Sequence, residues 1–367
     1  MNKWKECTLG DVMTLQRGYD LPSQHRELGT VPIISSSGIT AYHSVAKVSG
    51  PGVITGRYGT IGEVFFSKKD FWPLNTTLYV KDFKGNDCKF AYYALKNFDF
   101  EEFNDKSAVP GINRNHVHEA RILLPPLPEQ RAIAGVLSSL DDKIDLLHRQ
   151  NKTLEGMAEA LWRKMFVEEA KESWKTVTIK YFANILSGFA FKSSDFVDIG
   201  KYRLVTIKNV QDGYLDFSRL DYLNTIPTRL PYYCLLEIGD ILLSLTGNVG
   251  RCCLVNEENL LLNQRVGKLQ ARNIRDWAFI YIMFRQASMK SALEELSKGT
   301  AQANLSPIET ANFEMQAPPD CLLEKYSRVV TPQINKVLIN FHHIRTLTRL
   351  RDALLPKLMS GELRVTI

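Results

Sequence analysis

The chain has 367 residues, enough for two or three folded units at about 100 to 200 residues per domain, which excludes a single small domain. Its residues are 44% hydrophobic and 23% charged, so packed cores are expected and the composition of a disordered chain is excluded. Lysine plus arginine (46) exceed aspartate plus glutamate (40) to give a formal net charge of +6, which permits a polyanionic partner but is too mild to demand one.

Taken in chain order, residues 1–127 read as a mixed domain of helices and strands. Short apolar runs bounded by Gly, Pro, Asn or Asp, among them Gly52-Val53-Ile54-Thr55 and Thr77-Leu78-Tyr79-Val80, predict strands joined by turns, and a helix is expected near Phe90 to Asn97. Residues 128–172 hold a long helix. Pro128 suits its first turn and Glu129 the positive end of its dipole. Apolar residues then recur at 3.5-residue spacing through Ile133, Leu137, Leu140, Ile144, Leu147, Leu154, Ala158, Leu161 and Met165, with Asn151 the one polar member of the seam. This helix should run from about Pro128 to Glu169.

Residues 173–319 form a second mixed domain, with a strand in Gly239-Asp240-Ile241-Leu242-Leu243-Ser244-Leu245 and a helix over Trp277 to Lys290. Residues 320–367 hold a second long helix, from about Leu322 to Leu358, stopping near Ser360-Gly361. Its seam of Tyr326, Val330, Val337, Ile344, Leu347, Leu354 and Leu358 is interrupted by Gln333, Asn340 and Arg351. The order domain, helix, domain, helix requires the second helix to return antiparallel along the first. The expected architecture is therefore α+β: two pseudo-symmetric heads on an antiparallel coiled-coil spacer, a dumbbell. Asn151 would either pair with a polar residue of the second helix and set its register, or stand as a tolerated defect.

A long internal repeat supports that architecture. Trp4-Lys5, Thr8-Leu9 and Gly18-Tyr19 reappear as Trp174-Lys175, Thr178-Ile179 and Gly188-Phe189. Gly59-Thr60-Ile61-Gly62 with Asn75 matches Gly247-Asn248-Val249-Gly250 with Asn263, so the second head carries extra residues between these points. The run Thr153 to Met165 aligns without a gap on Thr346 to Leu358, 193 positions later.

The six cysteines, Cys7, Cys88, Cys234, Cys252, Cys253 and Cys321, are scattered and include no CxxC pair, which predicts reduced thiols. Met1-Asn2-Lys3-Trp4-Lys5 has no apolar signal core, and no apolar run approaches the ~20 residues that cross a bilayer, so a cytoplasmic protein is expected. Catalytic signatures fail in turn. There is no GxxxxGK[ST] phosphate loop, no GxGxxG, no GxSxG elbow and no [DN]PP[YF] methylase tetrapeptide; Leu124-Pro125-Pro126-Leu127 and Ala317-Pro318-Pro319-Asp320 read as punctuation before helices. Asp141-Asp142-Lys143 fits half of a metal-dependent nuclease site but reads as a solvated helix face. His116 and His118 would share one face of a strand, without an evident third metal ligand. No enzyme, no metal and no cofactor of its own is the expectation.

Binding chemistry is concentrated in polar turns. The heads are nearly balanced in charge, the first long helix is acidic and the last basic, so any nucleic-acid surface must be local. In head one the candidates are Arg17, Tyr19, Ser36, Arg57, Tyr58, Thr60, Asn75, Asn113 and Arg114. In head two they are Lys192, Lys208, Asn209, Thr246, Asn248, Arg251, Gln264, Arg265, Gln302 and Asn304. Arginine can grip guanine O6 and N7, asparagine or glutamine can grip adenine N6 and N7, and glycine lets backbone approach phosphate.

Leu124-Pro125-Pro126-Leu127-Pro128-Glu129-Gln130-Arg131, the following Leu140-Asp141-Asp142-Lys143-Ile144, and Leu354-Leu355-Pro356-Lys357-Leu358-Met359-Ser360-Gly361-Glu362 resemble the two conserved regions of the DNA-specificity subunit of type I restriction-modification systems. The match covers the whole chain order, although the second helix begins Pro318-Pro319-Asp320-Cys321 rather than with a full PLPEQ. The resemblance implies two target-recognition domains, each reading half of a split asymmetric DNA site, and helices that act as a ruler and as the docking surface for two adenine methylation subunits. Glu129, Gln130, Asp141, Asp142, Arg163, Lys164 and Lys357 are the candidates for that docking. Restriction subunits would join, S-adenosylmethionine would belong to the methylation subunit, and ATP with magnesium to the restriction subunit. The competing class is a two-headed coiled-coil adaptor that binds proteins.

Overall fold

The computed structural model describes residues 4–103, 111–297 and 304–365, and the chain divides into two compact units, Met1–Ile144 with Thr346–Ile367, and Asp145–Arg345. Each unit holds one mixed domain and a stretch of both long helices.

In the first unit a four-stranded antiparallel sheet runs in the order Thr14–Arg17, Thr77–Asp82, Gly52–Gly56, Val64–Ser67. Gly52–Gly56 is central and buried throughout, which is why it reads as an unbroken apolar run rather than an alternating one. A second sheet places Val31–Ser35 between Gly38–His43, antiparallel, and Trp72–Pro73, parallel. A two-stranded ribbon, Lys5–Thr8 on Arg121–Leu124, ties the start of the domain to its end. Asp87 caps helix Cys88–Lys96 by accepting from the Phe90 amide at 2.9 Å. That helix packs Phe90 and Tyr93 against Ile133, Ala134 and Leu137 of the first long helix and Leu355 and Leu358 of the second.

The second unit repeats this plan. Its four-stranded sheet runs Ala183–Ser187, Val266–Ala271, Ile241–Ser244, Cys252–Leu254; its second sheet runs Tyr222–Leu223, Tyr202–Val205, Leu260–Leu262, Leu235–Leu236; its ribbon pairs Lys175–Thr178 with Glu314–Ala317. Helix Trp277–Arg285 seats Phe279 among Trp162, Phe166 and Tyr326, with the Phe166 ring 4.9 Å from Phe279 and 5.0 Å from Tyr326.

The first long helix is α-helical over Leu127–Arg163 and closes in a π-helical turn, Lys164–Glu168; the second spans Asp320–Ser360. Within each unit the two run antiparallel: Asp141 meets Arg351 in the first, and Asn151 meets Asn340 and Ala158 meets Tyr326 in the second. The second helix starts at Asp320 without the full PLPEQ, its Leu322 amide bonded to the Pro319 carbonyl at 2.9 Å. Pro332 and Pro356 lie inside it without ending it.

Three local expectations are corrected. His116 and His118 lie on the short helix Arg114–Glu119, not on a strand, because the Asn113 side chain caps that helix. The helix expected over Trp277 to Lys290 is two helices, Trp277–Arg285 and Ala287–Leu296, separated by Gln286 in an extended conformation. Asp141 is no solvated face: its carboxylate accepts from Tyr93 Oη at 2.6 Å and Arg351 Nη1 at 2.7 Å.

Candidate nucleic-acid interface

Five of the turns singled out in head one meet at one end of its main sheet, drawn together by backbone hydrogen bonds. Gly18 N–H donates to Thr77 O and Tyr19 N–H to Pro73 O, so the end of the first sheet strand lies on the 73–77 turn. Arg57 and Tyr58 N–H both donate to Thr76 O, and Ile112 N–H donates to Arg57 O, which brings in the 57–60 and 111–114 turns. Ser36 closes the ring, its hydroxyl 3.3 Å from where a Gly59 side chain would begin. Gly18 is compelled by this convergence: a Cβ there would sit 2.2 Å from the Leu74 carbonyl oxygen. Gly59 and Gly62 turn the loop with φ of 78° and 80°, a left-handed conformation that glycine adopts without strain.

The side chains on this rim form a polar cleft of about 500 Å³ lined by Gln16, Arg17, Gly18, Tyr19, Asp20 and Arg114. Arg17 and Arg114 are exposed within it. The Tyr19 hydroxyl is held by Gln16 and Tyr79, and Lys47 Nζ lies 5.2 Å from its ring. The Arg57 guanidinium lies 4.4 Å from the Tyr58 ring while its Nε donates to Ile112 O, and Tyr58 packs over Gly111. Asn75 donates its amide to Asp20. Thr60 is exposed. His118 lies behind the cleft and accepts the Leu15 amide on Nε2 at 2.8 Å, next to Gln16. Its pKa is held below the ordinary imidazole value, chiefly by burial and then by Arg114 and Lys84, so the neutral acceptor form is favoured.

Head two repeats the frame with other side chains. Gly188 N–H donates to Val266 O and Phe189 N–H to Leu262 O; Leu245 N–H donates to Arg265 O and Leu305 N–H to Leu245 O; Thr246 bridges Asn304. Gly188 is compelled like Gly18, with Asn263 O 2.1 Å from its would-be Cβ, and Gly247 and Gly250 repeat the left-handed turn at 72° and 81°. This ring gathers Thr246, Asn248, Gln264, Arg265 and Asn304, with Lys208 next to Ile207, whose side chain would lie 3.6 Å from a Cβ placed on Gly247. Arg251 Nη1 donates to Gln211 at 2.5 Å. Lys192 is exposed on a 3-10 turn beyond Phe189, outside the ring, and Gln302 lies outside the described residues.

Several candidates have their polar groups taken up by the fold itself. Asn209 is buried: its oxygen accepts from Thr206 N–H and Oγ1, both at 2.8 Å, and its amide donates to Asp216 O and Arg219 O. It is a loop staple with no group left for a base. The Asn113 oxygen accepts the Asn115 amide. Glu129 and Gln130, expected to face a partner subunit, are buried. Glu129 accepts from Trp4 Nε1 at 3.0 Å and from Arg364, whose hydrogen bonds, ahead of Trp4's, hold its carboxyl below the ordinary range. Gln130 bonds Asp87 N–H, Asn86 and Pro125 O. Of the remaining docking candidates Asp141 is held by Tyr93 and Arg351, and the rest lie on the surface: Asp142 pairs with Lys68, Arg163 with Glu168, Lys164 with Glu169 and Lys357 with Glu362, exposed contacts worth little individually.

The seam pattern concealed a second feature of the long helices. Val136, Leu146 and Met157 are 37, 48 and 53% exposed, and Val329, Ile339 and Leu350, each 193 positions later, are 47, 49 and 46% exposed. The internal repeat was the signal that could have found them. Gln16, Asp20 and Lys47 were likewise missed, since nothing local marks them as rim residues. Among the described residues no group of three or more His, Cys, Asp or Glu could hold a metal, and no helix is long and apolar enough to cross a membrane.

The family profile described as "Type I restriction modification DNA specificity domain" matches residues 1–156 and 171–321. The MjaVIII specificity subunit, a type I restriction enzyme component of Methanocaldococcus jannaschii, is 29% identical over 287 residues, covering 70% of this chain and 66%, just under two thirds, of that relative. The MjaIX specificity subunit of the same organism is 26% identical over 334 residues, 83% of this chain and 76% of that one. The crystal structure of a Type-I restriction-modification system S subunit from M. genitalium shares the fold, with a TM-score of 0.66 at 19% identity over 99% of this chain and 97% of that one.

Proposed function

The chain belongs to the type I restriction modification DNA specificity domain family, a non-catalytic component of such enzymes, and on that premise we propose that it reads a split, asymmetric DNA site with one head per half-site. The observation that carries this reading is the pair of rims: one backbone frame, built twice, holds Arg17, Arg57, Tyr58 and Arg114 in head one but Thr246, Asn248, Gln264 and Arg265 in head two. Two frames of one geometry with different donors suit two different short sequences. The protein adaptor is not favoured, because the family is one of DNA specificity.

The same reading makes the long helices a scaffold. The exposed apolar positions Val136, Leu146 and Met157 recur in the repeat as Val329, Ile339 and Leu350, and such a recurrence suits two copies of one methylation subunit. S-adenosylmethionine would come with that subunit, and ATP with magnesium would come with restriction subunits.

Single-molecule mapping of N6-methyladenine in cells with and without this gene tests the proposal. Loss of one split motif on deletion is expected, and an unchanged methylome would sink it. Binding of the assembled complex to DNA should also weaken steeply with added salt, as phosphate contacts require.

A further inference from the structure

An internal repeat creates an assembly problem. Because the two long helices are versions of one sequence, each could pair with its own copy from a second chain as well as with the other helix of its own chain. The Asp141–Arg351 pair breaks this equivalence near the seam's edge, since its repeat positions are Ile334 and Ala158, and an asparagine pair breaks it inside the buried seam. Asn151 and Asn340 are buried at 5% and 0% exposure, and Asn340 Nδ2 donates to Asn151 Oδ1 at 2.7 Å and to Gln150 Oε1 at 2.8 Å. Under the repeat, Asn151 corresponds to Ile344 and Asn340 to Leu147, so neither asparagine is matched by another in its repeat position.

The register that places Asn151 on Asn340 brings Leu147, four residues earlier on one helix, level with Ile344, four residues later on the other. An antiparallel pair of two first helices in the same register would set each Asn151 against Leu147 of the other copy. A pair of two second helices would set each Asn340 against Ile344. A chain exchanged with a second copy in this way would bury four asparagine amides against aliphatic side chains, whereas the pairing within one chain joins both asparagines to each other. A slide of one heptad within the chain is penalised as well: it sets Asn340 against Ala158 or Ile144. The pair is not optimised for strength, since Asn151 Nδ2 and Asn340 Oδ1 remain without partners. A buried polar contact that is weak for the native state but costly to every alternative acts on pairing choice.

We propose that the Asn151–Asn340 hydrogen bond selects pairing of the first long helix with the second, excluding the homotypic helix pairs that the repeat would otherwise allow between two copies of this chain. The selection does not depend on DNA being read, so its test stands apart from that of the proposed function.

The full-length chain is unfolded in denaturant, refolded at micromolar concentration and examined by sedimentation velocity, as wild type and as the double variant Asn151→Leu/Asn340→Leu. Wild type should refold as single chains, and the double variant should show at least a several-fold larger dimer and oligomer fraction without a lower thermal midpoint. Each single variant, Asn151→Leu or Asn340→Leu, strands the other asparagine and should melt below both. A double variant as monomeric as wild type would overturn the proposal, as would a wild type that already refolds to the same oligomer fraction. Single variants that melt at the wild-type midpoint would remove the hydrogen bond on which it stands.

Discussion

The heads of the two units share a backbone frame down to individual hydrogen bonds. Gly18 and Gly188 lie under the same carbonyl turn, Ile112 and Leu305 donate to equivalent strand ends, and Asn113 and Ser306 cap equivalent short helices. They differ in what the frame carries. Head one presents Arg17, Tyr19, Asp20 and Arg114, where head two has Ser187, Phe189, Ala190 and Pro307 at the matching positions. Head two instead presents Gln264 and Arg265 where the backbone hydrogen bonds of head one place Asn75 and Thr76, and it adds an insertion stapled by Asn209 around its own core of Val205, Val210, Leu215 and Leu236. The difference shows that the frame is set by glycines and backbone pairing, which repeat, whereas the rim side chains diverge, as the proposed reading of two different half-sites requires.

Substitutions sort by which side of that division they touch. The largest effect is expected where the heads are the same: Gly18→Val or Gly188→Val drives a side chain into a carbonyl oxygen at 2.2 or 2.1 Å, and either should cost about 4 kcal/mol or more and lower soluble yield. Equal damage in both heads is the expected outcome of a shared frame; a tolerated Gly188→Val would break the equivalence. Next comes Asn209→Ala, which removes four hydrogen bonds made by a buried side chain, for about 3 kcal/mol by denaturant unfolding. Head one has no counterpart, so a half-site read by head one should be untouched in any partly folded protein that remains.

Rim substitutions should be gentler and head-specific. Arg17→Ala or Arg114→Ala should cost about 1–3 kcal/mol of discrimination at one half-site, read as relaxed methylation of a single half of the motif. Arg265→Ala should relax the other half. If both relax the same half, the assignment of one head to one half-site is wrong.

The smallest effect is a pH dependence confined to head one. His118 accepts the Leu15 amide as a neutral ring, and Ala311 stands at its position in head two. Its pKa lies below the ordinary 6.5, so the fold favours the neutral form. The stability this contributes is fully present above about pH 6.5 and declines as pH falls below that toward the lowered folded value. His118→Gln should flatten that slope in thermal unfolding measured across mild acid. An unchanged slope would assign it to other groups.

Much of this organisation is legible in one dimension. The long helices follow from a 3.5-residue apolar period that persists over about nine turns in the first and, with three interruptions, in the second. Strands such as Gly52–Gly56 and Thr77–Asp82 follow from apolar runs between turn residues, and the duplication follows from repeated dipeptides. Even the polar partner for Asn151 was foreseeable as a class, and the structure identifies it as Asn340. Such features are local or periodic, so neighbouring residues suffice to specify them.

What the sequence could not distinguish was which polar side chains face outward. Asn209 and Asn248 both lie in polar turns, yet one is enclosed by four hydrogen bonds and the other is exposed. Glu129 and Asp141 looked like surface charges on a helix and are consumed by Arg364, Trp4, Tyr93 and Arg351, partners up to 235 residues away. The destination of a polar side chain depends on which distant donor arrives beside it. Residue type and spacing therefore determined the elements and their duplication, whereas only tertiary packing decided which charges hold the fold and which remain for a ligand.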